Sequence, residues 1–316
     1  MTQRVVVLAG GLSHERDVSL RSGRRVAEAM TAVGVEATVR DLDSELMPWL
    51  QRERPDCVVP LLHGEVGEDG ALREILELAA TPYVGSTPAA ARLAFDKPIA
   101  KQVVSKAGIR TPASVTLPAD TFREVGAAAV MSALVERLGL PLFVKPAQGG
   151  SALGCTAVRT ADALPAAMVS CFAYGQVALV EQMVVGVELS VPVVGSTDSA
   201  EALPAVEIRP DGGVYDYTAR YTAGATEFVV PADVSEPVAL RCAQVAVTSH
   251  QALGLRDLSR TDLIVDADDE VWFLEVNVAP GMTETSLVPL SVEAAGLDLG
   301  RLMAGLAAEA SSRGHD

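Results

Sequence analysis

Three segments of the chain hold residue types that could do chemistry together. Towards the C-terminus Arg260, Thr261 and Asp262 precede one apolar run, while Glu275 and Asn277, two apart on a predicted strand, share a face. Two carboxylates and an amide oxygen are hard donors that suit Mg²⁺, an ion that keeps part of its shell for water and phosphate oxygens. A solvated polar face is the plainer reading. It is weakened because these residues interrupt the apolar runs 263–265 and 271–274, where a buried charge needs a partner or a metal. The second segment, 145–154, combines Lys145 with Gly149, Gly150, Ser151 and Gly154. Glycines permit positive φ and let backbone N–H groups close on phosphate oxygens, while the lysine adds a mobile positive charge. Gly149 and Gly154 have the spacing of a Walker loop, but Cys155-Thr156 stands where Lys-Ser/Thr is required, and the residues alone also fit a plain hairpin. The third segment is Gly10-Gly11-Leu12-Ser13-His14-Glu15, between a predicted strand and a helix, where an open α/β sheet binds anionic groups. Glu15 also suits a helix start on electrostatic grounds. His63 ends another predicted strand, just before Gly64, and by itself reads as a core histidine.

Positioning these residues requires a framework, and the hydrophobic pattern supplies one. Strands over 4–9, 37–41 and 57–61 alternate with amphipathic segments over 18–33 and 71–79, and the strands lack period-2 alternation, as parallel strands buried on both faces do. Within 71–79, Leu72, Ile75, Leu76 and Ala79 fall on one helical face. Gly34 stands where a helix should stop. Asp96 as an N-cap and Pro98 in the first turn predict a new helix and a domain boundary. Beyond Pro141 come a strand over 142–144, the Gly-rich loop and a strand over 155–158; further strands over 189–194, 263–265 and 271–276 flank a helix over 236–253. The fold class is thus mixed α/β and α+β, in three domains: 1–97, 98–184 and 185–316. The alanine-rich tail from Ser311 onward reads as frayed.

Composition excludes other classes. With 316 residues, 49% hydrophobic and 21% charged, the chain has enough apolar surface for folded cores. Its 41 acidic and 25 basic residues give a net charge of −16, which opposes nucleic acid and anionic membrane surfaces and favours a small ligand. Cys57, Cys155, Cys171 and Cys242 form no close pair, so zinc knuckles and Cys-x-x-Cys redox sites are excluded and a reducing cytoplasm suits them. The apolar run 5–11 leads directly into Ser13–Asp17 without a cleavage-like site, and no stretch is continuous enough to predict a membrane span.

Taken in order, these segments resemble the D-alanine:D-alanine ligases of the ATP-grasp superfamily. The likeness runs through Glu15-Arg16-Asp17-Val18-Ser19-Leu20, His63-Gly64 with Gly67-Glu68-Asp69-Gly70, Gly85-Ser86, Asp96-Lys97 and Lys145-Pro146 with Gly150-Ser151. It continues through Glu181, Glu188, Arg260 with Asp262, Glu275-Val276-Asn277, Pro280-Gly281-Met282-Thr283 and Ser286-Leu287-Val288-Pro289. The resemblance implies a three-domain ATP-grasp fold with an N-terminal open parallel α/β domain, a cytoplasmic homodimer, and ATP-dependent joining of two D-alanines for the peptidoglycan precursor. It implies two Mg²⁺ ions, or Mn²⁺ in their place, on Asp262, Glu275 and Asn277. Lys97 and Lys145 would meet the ATP phosphates, with Ser151 in the phosphate loop; Glu181 and the backbone at Met183 and Val184 would read the adenine, and Glu188 the ribose.

The same resemblance places Glu15 on the first substrate's ammonium, His63 near its carboxylate, and Ser286 and Leu287 on the second substrate's carboxylate. Arg260 and the Gly281 N–H would stabilise the oxyanion. A lid over 217–222 would close through Tyr221, Ser151 and Glu15, excluding water from the acyl phosphate. Two positions depart from the family pattern: Arg220 stands where the lid usually has lysine, and the phosphate loop has Gly149 for an acidic residue and Ala152 for a second serine. A ligase taking D-lactate, D-serine or another amino acid second is the alternative. A nucleotide-binding protein without catalysis would not require Arg260 together with the metal set, and a dehydrogenase would need the G-x-G-x-x-G that is missing here.

Overall fold

The opening Val run is buried on both sides, and a computed structural model, describing residues 2–213, 215, 219, 220, 222 and 224–313, shows what covers it. Strand β1 (Arg4–Leu8) lies between β2 (Glu36–Arg40) and β3 (Cys57–Pro60) in a parallel sheet, the arrangement that makes near-continuous apolar strands. The helix Arg16–Ala32 makes the crossover to β2, and Gly34, at φ 93°, takes the left-handed turn that ends it. On one face Val6 and Leu8 meet Leu46, Leu50, Leu72 and Leu76; on the other Val5, Val7, Val26 and Met30 meet Met303, Leu306, Ala307 and Ala310.

That second face is completed by the helix Leu299–Ser312, so the end of the described chain returns to its beginning. The expectation of a frayed tail fails for Ser311 to Arg313. Ser311 Oγ donates to the Asp56 carbonyl at 2.9 Å, and Arg313 forks onto the buried Asp257 carboxylate at 2.6 and 2.7 Å. The helix Ala71–Leu78 also differs from its pattern: Leu72, Arg73 and Leu76 are buried and Ile75 is 39% exposed. Arg73 goes inward because its guanidinium finds two carbonyls, Gly67 at 2.6 Å and Val278 at 3.2 Å.

An antiparallel sheet follows, β4 (Ser114–Pro118), β5 (Leu142–Pro146), β6 (Thr156–Val158) and β7 (Val177–Gln182) in the order β4-β7-β5-β6. Leu134, Leu138, Leu164 and Met168 of two helices cover it. The third sheet is antiparallel as well. It contains β8 (Gly186–Gly195), β9 (Glu201–Ala202), β10 (Val206–Pro210), β11 (Thr226–Val229), β12 (Asp257–Asp266) and β13 (Val271–Asn277), ordered β11-β10-β8-β12-β13 with β9 on β8. Its core side meets Val238, Cys242 and Ala246 of the helix Glu236–Ala252, and also Ala100 and Val104 of the helix Lys97–Lys106. That latter helix starts as predicted: Asp96 Oδ1 accepts from the Ile99 N–H at 3.1 Å, with Pro98 in the first turn. The mixture of one parallel and two antiparallel sheets with flanking helices agrees with the expected fold class. Among the described residues no helix is long and apolar enough to cross a membrane.

Candidate active site

The register of β12 on β13 sets Asp262 opposite Glu275 and Arg260 opposite Asn277. Opposed residues of an antiparallel pair project to the same face, so all four side chains gather on one side. The pairing then slips at Leu274, with Leu263 facing Phe273. This bulge reverses the alternation, so Leu263 and Phe273 point into the core while Asp262 and Glu275 point away from it. Asp262 Oδ1 accepts from Arg260 Nε at 2.9 Å and Ser190 Oγ at 2.8 Å, and Oδ2 accepts from Arg260 Nη2 at 2.7 Å. Burial acts against the Arg260 charge, but Asp262 and Glu275 outweigh it and hold the guanidinium firmly protonated. Burial likewise acts against the Glu275 carboxylate; Lys97, Lys145, Arg220 and Arg260 reverse that and keep it below the usual carboxylate range. Asn277 Oδ1 accepts from the Ala279 N–H at 2.7 Å.

Between the second and third sheets lies a cavity of about 410 Å³, lined among others by Lys97, Lys145, Glu181, Met183, Val184, Glu188, Arg220, Asp262 and Glu275. Lys97 Nζ donates to the Gly149 carbonyl at 2.7 Å and lies 3.4 Å from Glu275 Oε2. Lys145 Nζ sits 2.7 Å from Glu181 Oε2, and Lys101 donates to Glu181 Oε1. The Met183 N–H is already spent on the Pro141 carbonyl at 3.0 Å. Burial pushes the Glu188 carboxyl up to about 7, Arg220 opposing and Asp262 and Glu275 adding to the rise. The Gly-rich loop is a turn in which Ser151 and Ala152 themselves adopt positive φ, 55° each.

A second cavity, about 490 Å³, opens toward the first sheet and is lined by Glu15, His63, Glu68, Ser151, Arg260, Asn277, Gly281, Ser286 and Leu287 among others. The Gly10–Gly11 turn that leads to Glu15 is fixed by Ser19 Oγ on the Gly10 N–H at 2.8 Å and Asp41 on the Gly11 N–H at 2.9 Å. Ser151 Oγ donates to Glu15 Oε1, so the Gly-rich loop reaches the first sheet's helix; Ser151 lines this cavity and not the other. His63 Nδ1 bonds the Ala279 carbonyl at 2.9 Å, and burial lowers its pKa although Glu15 opposes that. A Cβ at Gly281 would stand 2.8 Å from Ser286 Oγ, so a side chain there would displace that hydroxyl. That hydroxyl accepts from the Thr283 N–H at 3.0 Å, just before the helix Leu287–Ala294.

Lys97, Gly149, Gly150, Arg220 and Glu275 line both cavities and mark where they meet. The Arg220 guanidinium stacks 4.4 Å from the Tyr215 ring centre. Of the lid segment, which connects β10 to β11, Tyr221 lies outside the described residues. Sequence reasoning gave no role to Lys101 or Ser190 and quoted Glu68 only within its motif. Lys101 had a usable signal, standing one helical turn after Lys97 on the same face. Among the described residues no three His, Cys, Asp or Glu side chains converge as a complete metal cage. Asp262, Glu275 and Asn277 are oxygen-bearing side chains on one face of the third sheet.

Comparison with known proteins adds an independent line. Residues 103–308 match the family described as the D-ala D-ala ligase C-terminus, and residues 47–86 the D-ala D-ala ligase N-terminus. The chain is 39% identical to the D-alanine–D-alanine ligase of Bordetella petrii, over 99% of this chain and 93% of that protein. It is 41% identical to the enzyme of that name from Herminiimonas arsenicoxydans, over 93% of this chain and 87% of that one. Among solved structures it resembles the VanG D-Ala:D-Ser ligase from Enterococcus faecalis, with TM-score 0.83, 29% identity, and coverage of 98% of this chain and 100% of that one. The D-alanine-D-alanine ligase from Coxiella burnetii gives TM-score 0.83, 26% identity, and coverage of 99% and 94%.

Proposed function

The chain belongs to the D-alanine–D-alanine ligase family, and from that premise we propose that it joins two D-alanines as ATP is converted to ADP and phosphate, supplying a peptidoglycan precursor. The observation that carries this reading is the meeting of two cavities at Lys97, Arg220 and Glu275, which would set a transferable phosphoryl group beside a substrate carboxylate. A carboxylate is a poor acyl donor, and transferring the terminal phosphoryl group of ATP to the first D-alanine makes it an acyl phosphate. Lys97, Lys145 and Arg220 offset charge on the transferring group. Asp262, Glu275 and Asn277 would hold Mg²⁺ (two ions, with Mn²⁺ as a substitute), whose chemistry is to neutralise phosphate charge.

Glu15, fixed by Ser151, would bind the first substrate's ammonium, and His63 faces its carboxylate. Ser286 and the start of the helix at Leu287 would bind the second substrate's carboxylate. The second amine then attacks the acyl carbon, the oxyanion that forms is met by Arg260 and the Gly281 N–H, and its collapse breaks the acyl–phosphate bond, releasing inorganic phosphate while the nitrogen gives up a proton to leave the amide. Arg260 spends Nε and Nη2 on Asp262, which leaves both Nη1 protons for this task. In the nucleotide cavity Glu181 would take the adenine amino group and Glu188 the ribose, with the Met183–Val184 backbone beside the base. Tyr221 as lid residue, cytoplasmic residence, a homodimer and the division at 97/98 and 184/185 belong to the same proposal.

The test is phosphate release from MgATP with no amino acid, D-alanine, L-alanine, or D-alanine plus D-lactate or D-serine, with products identified by mass. Dialanine formed only with D-alanine is expected; release independent of any D-amino acid would overturn the reading.

A further inference from the structure

The helix Lys97–Lys106 carries two buried lysines one turn apart, and they serve different ends of the nucleotide cavity. Lys97 lines the cavity and holds the Gly-rich loop through Gly149. Lys101 lines neither cavity. It stands behind Glu181, and its three donors meet three acceptors: the Pro112 carbonyl at 2.9 Å, Ser114 Oγ at 3.1 Å and Glu181 Oε1. An ammonium has three donors, so none remains and the side chain is fixed. Ser114 stands directly opposite Glu181 in the β4–β7 register, which ties helix and sheet at this one point.

Glu181 is itself buried and held from both sides, with Lys101 on Oε1 and Lys145 on Oε2 at 2.7 Å. A carboxylate held at both oxygens by lysine donors can only accept hydrogen bonds. Each carboxylate oxygen accepts more than one, so Glu181, which lines the cavity, keeps acceptor capacity there.

The geometry points to Lys101 as a specificity-determining positioning residue for the nucleotide base. Acting from outside the cavity, it holds the Glu181 carboxylate in one orientation, so that the site selects a base presenting an amino group and rejects one presenting a carbonyl. Adenine offers a donor at that edge. Hypoxanthine offers an oxygen, and two acceptors facing each other in a buried site leave both unpaired. The inference rests on the reading of this cavity as the ATP site.

The experiment compares kcat/KM for MgATP and MgITP in the full-length wild-type protein and in Lys101→Met, Lys101→Arg and Ser114→Ala. In Lys101→Met the ATP-over-ITP preference should fall by about tenfold or more, with the loss on KM for ATP rather than on kcat, because an unpinned acceptor discriminates less. Lys101→Arg should restore most of the preference. Ser114→Ala removes one acceptor without disturbing the charges, and should lower the preference by a few-fold; this variant decides the matter if Lys101→Met does not fold. An unchanged preference in the folded variants, or an equal loss with both nucleotides, would overturn the inference. A wild-type protein without ATP-dependent, D-alanine-dependent phosphate release would instead overturn the functional reading beneath it.

Discussion

His63 gives its Nδ1–H to the Ala279 carbonyl at 2.9 Å, which fixes the tautomer: a carbonyl can only accept, so neutral His63 presents a bare Nε2 lone pair. Nε2 is buried without a hydrogen-bond partner, on a residue that lines the second cavity.

A carboxylate brought against that lone pair requires a proton on Nε2. Burial first, with Arg260 adding, keeps the free imidazole neutral near pH 7. Binding of D-alanine should therefore take up protons near neutral pH, and affinity should weaken as pH rises. Calorimetric titrations in buffers of differing ionisation enthalpy should give buffer-dependent heats that His63→Gln abolishes; buffer-independent heats in the wild type would refute the contact.

Glu275 lies at the junction of the cavities with four cations around it, and Asp262 opposite carries its own arginine. Glu275→Gln should leave the fold intact and reduce MgATP-dependent phosphate release by at least about a hundredfold, equivalent to about 3 kcal/mol of transition-state stabilisation. Chelation of divalent metal should silence the wild type as well. Turnover within a few-fold of wild type in Glu275→Gln would remove the residue from the metal set.

Glu68 accepts from the Gly64 N–H at 3.0 Å, and its carboxyl is pushed by burial, with Glu15 adding, from 4.5 to about 7. A carboxyl whose folded pKa is raised contributes stability that is fully present below pH 4.5 and is lost as pH rises through 7. The loss at pH 8 is about 3 kcal/mol by linkage. Glu68→Gln, neutral throughout, should gain thermal stability relative to wild type between pH 5 and pH 8. A melting-temperature difference that stays flat over that range would contradict the assignment.

His250 runs the other way. It is buried with Nδ1 on Ser259 Oγ at 2.7 Å, and burial lowers its pKa from 6.5 to about 4. The unfolded chain binds the proton first, so this group's contribution is present above pH 6.5 and is lost as pH falls through 4. Urea unfolding should show His250→Gln losing less stability than wild type between pH 7 and pH 4; parallel losses would show that the imidazole is not the acid-sensitive element.

What the sequence made legible was local. Asp96 and Pro98 announce their helix because capping involves residues three apart, and Asp262, Glu275 and Asn277 stand out because they break apolar runs. Contacts between distant segments left no such trace. Lys101 finds Ser114 13 residues away and Glu181 80 away, and nothing in the pattern of either segment encodes that pairing. Arg73 occupies a position that helical periodicity would turn to solvent, and only the carbonyls of Gly67 and Val278 explain its burial. Strands β4, β7 and β9 to β11 were not read from the sequence, and β9 to β11 are short and separated by polar turns.

The returning helix Leu299–Ser312 imposes an order on the making of this protein. Met303, Leu306, Ala307 and Ala310 fill a face of the first sheet whose strands end at Pro60. During synthesis that side of the sheet is at first covered only by Val26, Ala27 and Met30 of the helix Arg16–Ala32, and it is not completed until the last helix is made. The first unit to be translated is thus the last that can be sealed. A chain stopped short of residue 299 would keep all three sheets and still leave Val5 and Val7 of the first without Met303, Leu306, Ala307 and Ala310.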